Sequence, residues 1–440
     1  LVLFSKKRTI FIKEENMELQ EAKKIIKKLL PQHYATAAKG RVARRYYRSE
    51  NDILYKSEDS TIKPMHSADN RVCSSFYSLL VNQKAGYIFT RPPIFDTGDE
   101  AADSLVKKTL GDGWAKMCKS LCIRSSNYGV AWLHYYYEPK CDTLKLAVLD
   151  GDEVVPIYSG RLERELIGAL RVFERVDSES GKRYSVYQIW NESECAAYEC
   201  ELGEDTDKHL CEFNMFKVEE VLTGDGIFTN IYKHDFKKVP FIPFFNNDIA
   251  TNDLECIKGL IDTYDKTYSG FANDLEDIQE VIMVLTGYEG ESLSEFLGEL
   301  KRYKTIKLSN DEGAKLQTLT IDIPVEAREK LLTMTRRAIF EQGQGVDPQT
   351  ENLGNSSGVA LKYLYSLLEL KAGLTETEFR IGFGEMVRAI CDFYGIACGD
   401  IRQIWTRTRV DNDVELADIA VKSVGIIEDE IIKRNHPWTS

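Results

Sequence analysis

Three carboxylates within four residues, Asp150, Asp152 and Glu153, are the kind of oxygen donor set with which a metal-dependent nuclease cradles a divalent cation. The same D-G-D lies between two strand-like runs, where it is ordinary hairpin-turn chemistry, and the turn is the preferred reading. Cys195, Cys200, His209 and Cys211 could ligate zinc, yet they include no C-x-x-C pair and fall in strand-like segments, so structural packing is expected and no metal site. No G-x-x-x-x-G-K-[ST] occurs, and none of the six histidines falls in a recognisable nucleophile setting, which disfavours a P-loop motor and an acid–base enzyme. The expectation is a protein that is not an enzyme and needs no cofactor.

What remains is charge arranged along elements. Between residues 249 and 282, Asp253, Glu255, Asp262, Asp265, Asp274, Glu276, Asp277 and Glu280 are offset only by Lys258 and Lys266, a net of −6. Beyond them Lys301, Arg302, Lys304 and Lys307 form a cationic cluster that could meet DNA or an acidic partner surface, and ordinary solvated lysines explain it as well. The stretch Gly343 to Ser357 (GQGVDPQTENLGNSS) carries Gln344, Asp347, Gln349, Glu351, Asn352 and Asn355 but no Lys or Arg. Its turn chemistry predicts a mobile loop.

These residues need elements to position them. Leu19 to Leu30 has helical spacing and is predicted to end at Pro31, with a second helix from Ala35 to Arg48. One helix is predicted from about Ser104 to Tyr128. Short runs rich in Val, Ile, Tyr and Phe follow at 130–137, 144–149, 154–158, 166–176, 184–190, 211–218 and 226–232, which predicts a mostly antiparallel sheet within an α+β body. Leu254, Ile257, Ile261, Tyr264, Tyr268, Phe271, Leu275, Ile278 and Ile282 then step by three and four, a narrow seam on one long helix. Residues 283–323 read as a compact insertion, with a helix at 292–303 and strands at 305–308 and 316–320. Pro324 opens a further helix on which Ala327, Leu331, Met334 and Ala338 repeat the narrow seam. Two slim helices flanking a small module favour side-by-side packing with other copies. A long helix from 358 to 394, a strand at 402–408 and helices near 414–424 and 428–435 complete the pattern.

Four hundred and forty residues allow roughly two to four domains. Apolar runs such as Val281 to Leu285 are far too short to span a bilayer, so no membrane association is expected. The net charge of −13 argues against a protein that coats nucleic acid through a general basic surface. It is unevenly spread: the first 50 residues hold 13 Lys and Arg against five Glu, and the lysines at 23, 24, 27 and 28 read as the solvated face of an amphipathic helix. The ten scattered cysteines suggest buried reduced thiols, and no secretory h-region opens the chain, so secretion is not expected.

Six segments in order resemble the SPP1-type portal family of tailed bacteriophages. They are YYRSENDILYK (46–56), NRVCSSFYSLLVNQKAGYIFTRPPIF (70–95), VPFIPFFNND (239–248), LECIKGLIDTYDKTYSGFANDLEDI (254–278), TIDIPVEAREKLL (320–332) and GNSSGVALKYLY (354–365). Thr90 departs from the glycine usual in the family, and the helical crown that commonly follows the His436–Pro437 position is not expected within these residues.

The resemblance implies a portal fold: an N-terminal extension (1–30), a mixed α/β wing (31–248), stem helices (249–282 and 324–342), a small α/β clip (283–323), a tunnel loop (343–357) and a long helix with a C-terminal wing part (358–440). It implies a ring-forming homo-oligomer, a dodecamer, at the capsid vertex of the virion, assembled in the host bacterial cytoplasm. Its partners would be double-stranded DNA passing through the channel, the terminase large subunit, the major capsid protein and scaffold, and the head-tail adaptor. Another head-to-tail connector ring and a metal-dependent nuclease are the alternatives. Within that frame the acidic stem residues leave hydrated DNA free to slide, the tunnel loop guides it, and the 301–307 cations contact DNA or adaptor.

Overall fold

The computed structural model describes residues 18–55, 68–138, 142–219, 226–277, 282–286, 315–319, 324–349, 365–407 and 421–424. Contacts divide the chain into two units, one of residues 1–49, 75–258 and 340–440, the other of 50–74 and 259–339.

The first unit opens on α1 (Leu19–Tyr47), which passes through Pro31 instead of stopping there. An interior proline removes one backbone bond and costs about 3 kcal/mol. Burial on both sides outweighs it, with Ala22, Ile25, Ile26 and Leu30 before the proline and Ala37, Ala43 and Tyr46 after it. The expected limit between extension and wing at residues 30 and 31 therefore falls inside one helix.

α2 (Phe76–Ile88) follows, then β1 (Ile94–Asp96). The single helix expected from Ser104 is two, α3 (Glu100–Leu110), capped by the Asp99 side chain, and α4 (Trp114–Tyr128), parted at Gly111-Asp112-Gly113.

The expected sheet is several. β2 (Val130–Glu138) lies between β3 (Thr143–Leu149) and a later strand, β12 (Phe241–Phe245). β4 (Val154–Tyr158), β5 (Leu166–Val176), β6 (Arg183–Trp190), β7 (Glu194–Glu201) and β11 (Ile231–Lys233) form an antiparallel path in a six-stranded sheet. After α5 (Thr206–His209), β8 (Cys211–Glu212) joins that sheet beside β7. β9 (Phe216–Glu219) and β10 (Gly226–Thr229) pair only with each other. The runs at 211–218 and 226–232 are thus each split between two pairings. β7 and β12 fall outside the expected runs: β7 is buried along both faces and shows no alternation, and Pro243 sits on β12 because that strand is an edge.

Two cores result. Ala22, Ile25, Ile26 and Leu30 of α1 pack on Leu170, Tyr187, Ile189, Ala196 and Tyr198 of the six-stranded sheet. α8 (Ser366–Phe393) places Ala372, Phe379, Phe383, Val387 and Ile390 against Phe89, Trp114 and Phe244. β15 (Arg402–Ile404) pairs with β1, closing residues 94–96 onto the C-terminal part of the chain.

In the second unit, α6 (Lys258–Asp277) and α7 (Val325–Gly343) cross the division between units, at 258 and 340 respectively. β13 (Ile282–Thr286) pairs antiparallel with β14 (Lys315–Leu319), from Ile282 opposite Leu319 to Thr286 opposite Lys315. Ile282, expected to end the helical seam, is therefore in a strand. Leu254 and Ile257 precede α6 in turns. Residues 50–74, expected in the wing, belong with the second unit. The helices expected at 292–303 and 428–435, the strand at 305–308 and the start of the 358–394 helix lie outside the described residues.

Candidate functional site

The acidic stretch is less free than its formal charge suggests. On α6 the buried face is Ile261, Asp265 and Ser269, spaced by four. Asp265 is 1% exposed; one carboxylate oxygen accepts the Ser74 N–H at 3.0 Å and the other accepts Asn51 Nδ2 at 2.6 Å. Burial raises its carboxyl above the ordinary range, and the Ser74 and Asn51 hydrogen bonds oppose that shift only in part. Its role is to hold segment 50–74 on the helix, which corrects its assignment to a charged wall. Asp274 is ion-paired with Arg328 of α7, whose guanidinium also lies 5.5 Å from the centre of the Phe271 ring. Glu276 accepts Asn70 Nδ2, and Asp262 is half-buried. In the first unit Glu255 pairs with Lys39 at 3.3 Å. The Asp277 side chain and Glu280 lie outside what is described.

The end of α7 is the second feature. Gln344 N–H bonds the Glu341 carbonyl at 3.3 Å, and Gly345 N–H bonds the Phe340 carbonyl at 3.0 Å. This is a Schellman ending, with Gln344 in the left-handed position at φ +55° where glycine is usual. Asp347 turns the chain again by accepting the Gln349 N–H at 3.0 Å. The part of the expected mobile loop that is described, up to Gln349, is therefore hydrogen-bonded backbone. Glu351, Asn352 and Asn355 lie outside the described residues, as do Lys301, Arg302, Lys304 and Lys307.

The third feature is a buried charge cluster in the first unit. Lys84 is fully buried on α2 and donates to Asp253 Oδ2 and Asn246 Oδ1, each at 2.6 Å. Lys371 of α8 lies 3.4 Å from Asp253 Oδ1, and Asn246 Nδ2 donates to that same oxygen at 3.0 Å. Desolvation pushes the Asp253 carboxyl up, but Lys371, Lys84 and the hydrogen bonds together hold it well below the ordinary carboxylate range. Desolvation lowers the Lys371 ammonium. Asp253 sits in the turn that leads into α6, and its N–H bonds the Ser126 carbonyl at 2.9 Å. Gly129, at φ +81°, ends α4 where a Cβ would come 2.0 Å from the Ala250 carbonyl oxygen, so only glycine admits this turn.

The two constellations with the right groups for metal chemistry are occupied otherwise. Asp150 meets Arg44 and Arg124 at 3.1 Å, Asp152 meets Arg41 at 3.2 Å, and Glu153 meets Arg171 at 3.4 Å. The D-G-D is not a hairpin turn either, since β3 pairs with β2 and β4 with β5, so the turn carries the chain from one sheet to the other. Arg41 and Arg44 of α1 thereby spend their charge on this turn, as Lys27 does on Asp207. Cys195 and Cys200 belong to different cores, Cys195 with Trp132 and Trp190, Cys200 with Tyr187 and Tyr198. Burial raises both thiols.

The sequence model of the family described as "Phage portal protein, SPP1 Gp6-like" matches residues 26–440. The chain is 41% identical over 415 residues to the portal protein of Clostridium phage phiCD119, covering 90% of this chain and 88% of that protein. The chain belongs to the phage portal family. It is also 26% identical over 428 residues to the portal protein of Bacillus phage SPP1, covering 90% of this chain and 79% of that one. Among solved structures, the neck of an empty GTA particle computed with C6 symmetry is similar at a TM-score of 0.44 and 12% identity, covering 88% of this chain and 90% of that one. The neck of a native GTA particle computed with C12 symmetry gives the same score and identity, covering 86% and 92%.

For a portal chain, the residues that sequence reasoning passed over are Lys84, Asn246 and Lys371. A signal for the first exists: Tyr77, Leu80, Val81, Lys84, Ala85 and Ile88 share one helical face, and a lysine on a buried stripe requires an anionic partner. Nothing local to Asn246 or Lys371 announces the same cluster.

Proposed function

We propose that this portal chain closes into a ring of twelve copies at the capsid vertex, through which double-stranded DNA enters during packaging and later leaves. Its residues divide into wing, stem, clip and tunnel loop, with α6 and α7 as the stem arms, the β13–β14 pair at the base of the clip and 343–357 as the tunnel loop. The terminase large subunit docks on the ring during packaging and the head-tail adaptor afterwards, with the major capsid protein and scaffold around it. The observation that carries the reading is the family match over residues 26–440. The stem arms support it: Tyr268 and Leu275 of α6 and Leu331 and Met334 of α7 are exposed apolar side chains. Heterologous ring closure supplies a partner surface to each copy without requiring one in its own chain.

The ion pairs of Asp274, Asp253 and Glu255, and the burial of Asp265 against Ser74 and Asn51, change the electrostatic part of the reading. A channel wall built from these arms is closer to neutral than the formal charge of 249–282, since α7 adds Arg328, Lys330, Arg336 and Arg337 against Glu326, Glu329 and Glu341, and DNA slides past it for want of a net basic surface that would exchange with phosphate counterions. The 343–357 segment, with no Lys or Arg, continues that lining. Negative-stain microscopy of the purified protein is expected to show rings with a central hole, and a monodisperse monomer under all conditions would end the reading. Placing a cation in the lining by Asn352→Lys is expected to slow in vitro packaging or shorten the packaged DNA. Unchanged rate and length would remove the tunnel loop from the DNA path.

A further inference from the structure

The point at which α7 gives way to the following segment is held from two other helices, and one of the two holding groups is placed by a buried aspartate. On α2, Leu80, Gln83 and Lys84 lie on one face at i, i+3 and i+4. Gln83 grips a single residue's backbone from both sides: its Nε2 donates to the Val346 carbonyl at 2.7 Å and its Oε1 accepts the Val346 N–H at 3.0 Å. Leu80 lies beneath the same backbone, where a Cβ on Gly345 would come 2.1 Å from its Cδ2, so the chain is seated directly on that side chain. From α8, Lys371 Nζ donates to the Gly343 carbonyl at 2.9 Å. That carbonyl is one of those an α-helix leaves without a partner at its C-terminus, and an ammonium is its favoured cap.

Lys371 is itself placed by Asp253, and Asp253 by Lys84, at 3.4 and 2.6 Å. Through Lys371, one carboxylate therefore connects the turn leading into α6, the last residue of α7 and the second turn of α8. Thr375, one turn beyond Lys371 on α8, adds a bond from its hydroxyl to the Asn246 carbonyl at 3.2 Å. The contrast with the end of α8 shows what the clamp accomplishes. There Gly395 takes the left-handed position at φ +68° with Ile396 N–H on the Cys391 carbonyl at 2.9 Å, a Schellman ending of the same kind built with glycine. α7 makes this ending with Gln344, in a conformation that residues with a Cβ avoid, and the surrounding clamp over-determines it.

We propose that Gln83, Lys371 and Asp253 are positioning residues that set the place and direction in which the 343–357 segment leaves α7. The consequence for DNA passage rests on the reading of that segment as the tunnel loop, whereas the clamp itself does not. In a ring, every copy must present the segment at one height, and a segment with no cations of its own is not anchored by DNA. The clamp supplies that placement from the body of each chain. It also retains the Lys371 ammonium on Asp253 and Gly343.

The test uses the assembled full-length protein and a Glu-specific protease, reading cleavage after Glu351 by mass spectrometry. Losing one side chain of the clamp is expected to speed cleavage about five- to tenfold in Lys371→Met and in Gln83→Leu. Lys371→Arg, which keeps a cationic donor, is expected to stay near the parental rate. Parental cleavage in both disrupting variants, with rings and far-UV circular dichroism intact, would overturn the proposal. If Lys371→Met fails to fold, Gln83→Leu decides alone, since Gln83 is uncharged and half-buried. Faster cleavage in these variants together with normal packaging by Asn352→Lys keeps the clamp and removes the tunnel-loop reading. Parental cleavage together with impaired packaging by Asn352→Lys removes the clamp and keeps that reading.

Discussion

α8 and α6 are both long helices, yet they meet the rest of the chain in opposite ways. α8 buries Leu368, Ala372, Phe379, Phe383, Met386, Val387 and Ile390, an apolar face completed by Phe89, Trp114 and Phe244 of the same unit. α6 buries Ile261, Asp265 and Ser269, while Tyr268 and Leu275 are 44% and 48% exposed. α8 also exposes Leu370, Leu374 and Ile381, so the difference lies on the inner side, where a helix with a large apolar face covered by its own chain is anchored within the monomer. One that turns hydrogen-bonding groups inward and large apolar groups outward is half of a contact. The inward polar groups are satisfied by specific partners, Ser74 and Asn51 for Asp265, which makes the placement of segment 50–74 exact in direction while contributing little hydrophobic stabilisation.

The largest expected difference between the two helices follows from truncation. Phe383→Ala removes a ring that packs on Trp114 at 5.1 Å and on Phe244 at 4.9 Å between centroids. Such a cavity costs about 3–5 kcal/mol, and thermal unfolding followed by circular dichroism should show a loss of several degrees. Leu275→Ala on α6, measured on dissociated chains, should move Tm by less than a degree or two. Equal losses at the two positions would abolish the distinction.

The legibility of the sequence divides along the same line. β4 and β5 have the bounds expected for them, 154–158 and 166–176, because β-branched runs between turn residues leave few alternatives. Pro31 misleads, since the cost of an interior proline is local while the burial that outweighs it comes from strands more than 130 residues away, such as those of Leu170 and Tyr187. The seam at 254–282 is visible as a spacing, but spacing cannot tell which stripe is turned inward. In α6 that stripe contains Asp265. The acidic residues are legible by type, and their partners are not: Lys84 and Asp253 are 169 residues apart, and Asp274 and Arg328 are 54 apart. Net charge counted along a segment therefore overstates the field that the segment presents.

Acid should separate the two regions by sign. His134 and His234 flank Trp190 in the body, and burial holds each imidazole down to about 4. His134 is neutral with Nδ1 toward the Pro240 carbonyl at 2.8 Å. An unfolded chain takes up these protons near pH 6.5, so the body is at full strength above that value and loses stability as pH falls from about 6.5 toward 4. The loss is on the order of 3 kcal/mol per histidine at most, since each tenfold change in proton affinity is worth roughly 1.4 kcal/mol. On α6 the sign is reversed, because the raised Asp265 carboxyl takes up its proton in the folded state first, so falling pH relieves its desolvation. Hydrogen exchange at pH 5 against pH 7, corrected for the intrinsic rate, should show added opening in β2 and β6 and none in α6. Uniform opening of both would remove the assigned cause.

The smallest effect on the single chain, and the most telling for the ring, is expected at Met334. Its side chain is 61% exposed on α7, one turn from Leu331 at 45%. Met334→Asp removes no contact that the core of either unit depends on, so the unfolding free energy of the dissociated chain should stay within about 0.5 kcal/mol of the parent. In the proposed ring the same position meets a neighbouring copy, and each interface would then bury an unpaired carboxylate, repeated around the ring. Burying a charge without a partner is far more costly than exposing a methionine, so assembly should shift toward monomer by an order of magnitude or more in concentration. Sedimentation velocity of Met334→Asp beside the parent, with thermal unfolding of the dissociated chains, reads both outcomes. Intact rings would mean that the exposed face of α7 is not the contact face and that the ring closes through the other side of the helix.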